Sequence, residues 1–394
     1  MKIIHINSVY GLGSTGRIVE CIHTQLLEEG HESIVVVGRN HPKFNVEVDH
    51  DTVIDLYKLK RVIKDAIPSL MFDTHGLHSK ENTKVVIDKI KAENPDIIHL
   101  HNIHGFYLNY QMLFEYLNQT TIKIVWTLHD CWSFAGFCSN YQYNQCNKWI
   151  DGCHECEYRN VYPYRILSNS RNNYALKKAL FTSNKNLTLV TPSRWLKEEV
   201  TQSFFKDIPC CVINNGVDFK DFYKDSSNFE FKETNGKKIL LAVAGVWTKQ
   251  KGYDEYIKLS KLITDDFVIV MIGVNIKQKK QLSHHGIIGV EKTKSLDEQR
   301  KWYSNSHFLI NLTLEDNYPT VNLEAVSCGL RVLGYQSGGN EETILGYGEC
   351  ARKYDLNQIV TFIKADKCYE EIISPANKEK MYHSYADIYN TKKI

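Results

Sequence analysis

Short runs of apolar and β-branched residues recur along the chain, separated by stretches in which apolar residues return every third or fourth position. The first series of runs covers residues 2–7, 33–37, 96–101, 123–127 and 187–191, with helical stretches such as 16–29, 82–93 and 171–182 between them. A second series opens near Cys210-Cys211-Val212-Ile213 and continues at 238–244, 267–272, 308–311 and 331–334. Strands alternating with amphipathic helices predict parallel sheets, hence an α/β protein. Asn214-Asn215-Gly216-Val217-Asp218, with its Asn-Gly turn, and the polar stretch 224–237 divide the two series. The expectation is two Rossmann-like domains facing across a cleft, over 1–206 and 207–373, with a terminal helix at 374–394 packing back on the first.

Composition narrows the class. A chain of 394 residues can bury two separate cores. With 43% hydrophobic and 24% charged residues it is ordinary globular material, and a net charge of +2 argues against a nucleic-acid partner. No apolar run approaches the ~20 residues that span a bilayer. The start, Met1-Lys2-Ile3-Ile4-His5-Ile6-Asn7, is too short and polar for a signal peptide and reads as a first strand. A cytoplasmic protein is expected, whose eleven cysteines are reduced or metal-bound.

The chemistry concentrates in Asp316-Asn317-Tyr318-Pro319-Thr320-Val321-Asn322-Leu323-Glu324, a loop feeding a helix N-terminus with carboxylates eight positions apart. Unpaired amides at a helix start suit a phosphate, and a carboxylate a turn or two further in can accept ribose hydroxyls. Upstream, Gly245-Val246-Trp247-Thr248-Lys249-Gln250-Lys251-Gly252 follows a strand and puts lysines where a diphosphate needs compensation. Gly338-Gly339-Asn340-Glu341-Glu342 is a loop whose backbone a ligand can approach. Singly, these read equally as an acidic helix start, solvated lysines and a surface turn; together they describe a pocket for a nucleoside diphosphate.

Together they also resemble the retaining glycosyltransferases of family 4, which have the GT-B fold. Asp316 and Glu324 match the "E-x7-E" element, with Asp in place of the first Glu. Lys251-Gly252 matches the "R-x4-K-G" clamp, although Val246 stands at the Arg position and Lys249 is the substitute. Gly338-Gly339 matches "GG-x-P-E", with Glu341 in place of Pro, and Asn215-Gly216-Val217-Asp218 resembles the "NGVD" opening the second domain. The resemblance implies sugar transfer from a UDP- or GDP-sugar to a saccharide acceptor, lipid-linked, in bacterial surface-polysaccharide assembly (capsule, O-antigen or exopolysaccharide). It implies retention of configuration by front-face attack, with no cofactor required for catalysis. Lys251, Asp316 and His129 (in Thr127-Leu128-His129-Asp130) are the expected catalytic groups. Gly245, Lys249, Asn317, Tyr318, Pro319 and Glu324 are expected around the donor.

Gly11-Leu12-Gly13-Ser14-Thr15-Gly16 admits two readings. It fits the dinucleotide fingerprint G-x-G-x-x-G, and Arg39 after the next strand could hold a 2′-phosphate, so an NADP oxidoreductase is a rival. In the glycosyltransferases a glycine loop here approaches the donor diphosphate, and Gly13, Ser14 and Arg17 take that role. A GT-B sugar-nucleotide epimerase and a carbohydrate-binding module are further alternatives. His99, His101, Asn102 and His104 crowd one strand end and suggest an acceptor subsite or a metal. In a segment at 131–165, Cys138, Cys146, Cys153 and Cys156 form either a structural zinc site or a set of buried thiols among aromatic residues. Finally, residues 57–67 are basic on one side and apolar on the other at helical spacing. Such a helix either lies on the anionic inner membrane surface or buries its stripe in the protein.

Overall fold

The structure is a computed structural model that describes residues 1–38, 51–57, 59–158, 162–227, 229, 231–366 and 377–391. Arg39 and the boundary expected at 373/374 lie outside the described residues. The chain divides into two compact units: Met1–Ile213 with Tyr382–Ile394, and Asn214–Met381.

Among the described residues, the first unit holds a seven-stranded sheet. Its strands are β1 (Lys2–Asn7), β2 (Glu32–Val37), β3 (Val53–Asp55), β4 (Ile97–Leu100), β5 (Lys123–Thr127), β6 (Leu187–Thr191) and β7 (Cys210–Val212), in the order β3-β2-β1-β4-β5-β6-β7. Every pairing is parallel. Parallel sheets are covered on both faces, which is why Ile3, Ile4 and Ile6 are all fully buried. Helix α1 (Gly13–Glu28) packs one side through Ile18, Val19, Ile22 and Leu26. Cys210–Val212, expected to open the second series, instead pairs with Leu189–Thr191 at this sheet's edge. The expected boundary at 206/207 therefore moves to 213/214.

The second unit holds a six-stranded parallel sheet of β8 (Lys238–Val243), β9 (Phe267–Ile272), β10 (Ile288–Val290), β11 (Phe308–Asn311), β12 (Val332–Tyr335) and β13 (Gly348–Ala351), in the order β10-β9-β8-β11-β12-β13. Its core joins Leu241, Val270, Leu309 and Val332 on the strands to Leu323 and Val326 on the helix after β11.

The C-terminal helix Lys378–Asn390 belongs to the first unit from Tyr382 onward. Tyr385 bonds Thr127 (3.0 Å), Tyr389 bonds His99 (2.7 Å) and the Tyr382 hydroxyl donates to Glu29 (2.6 Å). The Lys123 ammonium caps the helix end on the carbonyls of Ile388 and Thr391.

The cysteine-bearing segment after β5 has a small core of its own. Tyr141 stacks on Trp149 with centroids 4.9 Å apart, and Phe134 meets Trp149 edge-on. Lys177, fully buried on the helix Ser170–Thr182, donates to the carbonyls of Trp132 (2.6 Å) and Ala135 (2.9 Å). Arg165 is buried, pairs with Asp73 at 2.6 Å and lies over the Phe137 ring.

Candidate active site

In each sheet the strand order reverses at one point, between β8 and β11 in the second unit and between β1 and β4 in the first. Open α/β sheets bind ligands outside the strand C-termini at such a switch point. The loops after β8, β11, β1 and β4 stand there because each directly follows one of these strands, and the Gly338–Gly339 loop follows the neighbouring β12.

In the second unit the loop after β8 carries Gly245, Lys249 and Lys251, and the loop after β11 carries Asp316, Asn317, Tyr318 and Pro319. The Lys251 ammonium pairs with Asp316 Oδ2. Leu314 N–H donates to the Gln250 carbonyl at 2.8 Å and ties the two loops through their backbones. Gly252, at φ 75°, lies against β11 so closely that a Cβ there would sit 2.2 Å from the Leu312 carbonyl oxygen. Only glycine combines that backbone with that approach. The loop after β12 joins through Gly339 N–H on the Asp316 carbonyl (2.9 Å), and Tyr318 N–H donates to Asp316 Oδ1 (3.2 Å). Asp316 is thus held by three loops.

Pro319 is the N-cap of the helix Thr320–Ser327, and no side chain caps its first amides. Gly245 and Lys249 are exposed, and nothing approaches Gly245 within 4 Å. Val246, at the position where the family carries Arg, is 72% exposed. Glu324 is buried, and its Oε2 accepts from the Tyr303 hydroxyl (3.0 Å) and Gln299 Nε2 (3.2 Å). Burial first, and the Glu324 charge second, push the Tyr303 phenol well above its usual range, so it stays a donor. The structure brings Lys251 and Asp316 together and holds the Glu324 carboxylate by bonds from the helix Leu296–Ser304.

A supporting network escaped the sequence reading. Asn311 Nδ2 donates to Asn322 Oδ1 (2.8 Å), and Asn322 Nδ2 donates to Asn340 Oδ1 (2.9 Å) and Thr343 Oγ1 (2.7 Å). Asn340 Nδ2 closes it on the Tyr335 carbonyl (2.7 Å). These amides, those of Asn322 and Asn340 fully buried, lock the helix start at 320 to the loop at 338–340. The available signal was three asparagines among apolar residues next to glycine loops.

In the first unit, Gly13 and Ser14 open α1 and, with Arg17, are exposed, and Arg17 Nε donates to the Gly13 carbonyl at 3.4 Å. After β4, Asn102 N–H donates to Asn7 Oδ1 (3.1 Å). His104 Nε2 meets Asp130 Oδ2 at 2.8 Å. Burial raises the Asp130 carboxyl, but the neighbouring His104 outweighs it and holds it below the ordinary range. His129 keeps an edge to solvent, and crowding by protein brings it down to about 4, so its imidazole is neutral at pH 7. His101, expected on the acceptor side, is fully buried, with its Nδ1 3.1 Å from His129 Nε2. It supports His129 from behind and has no surface to offer an acceptor.

Cys138 and Cys153 are buried, and Cys153 Sγ accepts from Gly136 N–H (3.1 Å). Burial raises both thiols, Cys153 to about 11. Among the described residues, one group of three or more possible ligands has all its ligand atoms within 4.8 Å of one another, namely His5, His99 and His101. Cys138, Cys146, Cys153 and Cys156 are not such a group. In the helix Leu59–Phe72, the apolar stripe faces outward: Ile63 (51%), Ile67 (55%) and Met71 (43%) are exposed, whereas Asp65 and Ser69 are buried. Ser79 Oγ donates to Asp65 Oδ2 at 2.5 Å, which explains how that polar face is satisfied inside. Lys58 lies outside the described residues. Among the described residues no helix is long and apolar enough to cross a membrane.

Residues 15–221 match Glycosyltransferase Family 4 and residues 225–374 match Glycosyl transferases group 1. WcaC of Escherichia coli K12, named for a colanic acid biosynthesis glycosyl transferase, is 24% identical over 287 residues, covering 70% of this chain and 69% of its own. Sucrose-phosphate synthase from Thermosynechococcus elongatus has a similar fold (TM-score 0.72, 13% identity, 98% of each chain). So does Anabaena Alr3699/HepE, solved with UDP and glucose (TM-score 0.61, 12% identity, 100% of each chain). These matches set aside the NADP oxidoreductase alternative for Gly11–Gly16. With a family match across more than half its length and the two-sheet GT-B architecture, this chain belongs to glycosyltransferase family 4.

Proposed function

We propose that the protein moves a sugar from a UDP-sugar to a lipid-linked saccharide, retaining the anomeric configuration, in surface-polysaccharide assembly. One observation carries the donor side: three loops at the second unit's switch point converge on Asp316, with Lys251 paired to it beside an uncapped helix start. Such a site supplies a cation and free amides for a diphosphate and a carboxylate for a hydroxyl-rich group. The transition state resembles an oxocarbenium ion departing from an anionic diphosphate, so stabilising the leaving charge is the main task. Lys251, Lys249 and the amides after Pro319 take that role. Asp316 orients the sugar, and Glu324, held by Tyr303 and Gln299, serves the ribose. A donor phosphate oxygen takes the acceptor proton, so no enzymic nucleophile and no metal is needed. UDP is the preferred nucleotide because the fold's relatives include proteins solved with UDP and with UDP-2-fluoro glucose.

The lipid-linked acceptor rests on the inverted helix Leu59–Phe72. Its exposed Ile63, Ile67, Met71 and Phe72 lie beside Ile166 and Leu167, both exposed, whose amides donate to the carbonyls of Leu70 and Met71. Lys58, Lys60, Arg61 and Lys64 accompany them in sequence. Apolar residues flanked by cations suit an anionic bilayer surface. A thermal-shift panel tests the donor: stabilisation by UDP, with none by NADP, is expected, and the reverse overturns the reading. Co-sedimentation with anionic liposomes tests the membrane contact, which Ile67→Glu should abolish. Wild-type protein left in the supernatant at low salt removes the lipid.

A further inference from the structure

The first unit carries a buried histidine cluster behind His129. His5 on β1 is in register with His99 on β4, so both side chains leave the sheet on one face, and His101, two residues further, follows them. Ring centroids lie 5.1 Å apart for His5–His99, 4.0 Å for His99–His101 and 5.8 Å for His5–His101. All three rings are essentially inaccessible. Neither nitrogen of His5 has a hydrogen-bond partner, nor does Nε2 of His101. Buried polar atoms are nearly always paired, and three orphaned imidazole nitrogens in one core are a costly arrangement without a ligand.

We propose that His5, His99 and His101 form a binding site for a transition-metal cation of the zinc type. Imidazole nitrogens suit zinc, cobalt, nickel and copper. One nitrogen from each ring already lies within 4.8 Å of the other two. A tetrahedral zinc at 2.0–2.1 Å from each nitrogen needs separations of about 3.3 Å, which a movement of less than about 1 Å per ring supplies. Ligation requires neutral imidazole, and burial keeps all three rings far below their ordinary range. The surroundings also fit a ligand shell, because metal-bound histidines use the second nitrogen to donate a hydrogen bond. His101 Nδ1 faces His129 Nε2 at 3.1 Å. His99 meets Tyr389 (2.7 Å) and Thr127 (2.8 Å), and would release one of them to the cation. A cation on His101 Nε2 would fix its proton on Nδ1 and so set the tautomer of His129.

The site is independent of the donor reading, and its test does not use activity. Full-length protein stripped with chelator is titrated with zinc chloride, and separately with cobalt(II), whose absorption reports ligand type and geometry. The expected result is about one equivalent of zinc, a rise in Tm of about 5 °C or more, and a cobalt spectrum without thiolate charge transfer. His5→Val should lose all three responses while its metal-free Tm stays equal or rises, since an orphaned polar ring has gone. Cys153→Ser should keep them. Less than a tenth of an equivalent bound to wild type overturns the site, and so does a thiolate-type cobalt spectrum that survives His5→Val. The wild-type titration decides even if the valine variant does not fold.

Discussion

Removing the Lys251 ammonium separates a donor clamp from a surface ion pair. Its side chain is 40% exposed and that of Asp316 18%, so as a pair alone the two contribute at most about 1 kcal/mol to stability. Lys251→Ala should therefore lower Tm by only a few degrees. If the same ammonium instead holds a diphosphate, the lost charge-assisted contact costs about 1.5–3 kcal/mol, or roughly ten- to a hundredfold in UDP affinity and in kcat/KM. Asp316→Asn gives the opposite sign in binding. It frees the lysine from its internal partner, so UDP should bind as tightly as to wild type or tighter, while turnover falls because the sugar loses its carboxylate. Calorimetric titration with UDP at fixed salt reads affinity, and release of UDP from the donor reads turnover. UDP affinity within twofold of wild type for Lys251→Ala would refute the clamp and leave only the ion pair.

Glu324→Gln should weaken UDP binding about tenfold, and Tyr303→Phe should shift it in the same direction by less; calorimetry that finds Tyr303→Phe the weaker binder would contradict the order of the contacts. Gly252→Ala should fail to reach native Tm, because its Cβ meets the Leu312 carbonyl at 2.2 Å in a left-handed backbone; a Tm within about 2 °C of wild type would show that the loop relaxes. Lys177 is brought down to about 7 by burial, against 10.5 in the unfolded chain, so between those values the unfolded state holds a proton that the folded state lacks. Its contribution to stability then rises with pH by up to about 1.4 kcal/mol per unit, and denaturant titrations at pH 7 and 8.5 should show a steeper rise for wild type than for Lys177→Met. Equal slopes would mean that Lys177 stays charged in the folded protein.

The central strands were legible in the sequence and the sheet edges were not, for one physical reason. β1, β5, β6, β9 and β11 were readable to the residue because a strand buried on both faces must be an unbroken apolar run. β3, β10 and β13, which escaped, and β7, which was assigned to the wrong sheet, are the four edges, three or four residues long and largely half-buried. An edge strand has no neighbour to hide it and so carries no such run. Site loops were legible through glycine and charge, which report what a backbone can approach. Their partners were not: Lys251 finds Asp316 across 65 positions, and Glu324 is claimed by a tyrosine and a glutamine on another helix.

The helix Leu59–Phe72 and the strand Lys2–Asn7 were both recognised as elements, and together they say why pattern alone stops short of function. Periodicity finds the apolar stripe of a helix but not which way it turns; here Asp65 reaches Ser79 inside, and Ile63, Ile67 and Met71 are left outside. In β1 the pattern averages over one polar residue, His5, among isoleucines, although that residue is the exception to the rule that makes the strand. An exposed apolar stripe and a buried unpaired imidazole each carry a free-energy cost in the isolated chain that a partner can remove. Such violations of burial are therefore the most informative positions in a fold of this kind, and they become visible only once the neighbours of each side chain are known.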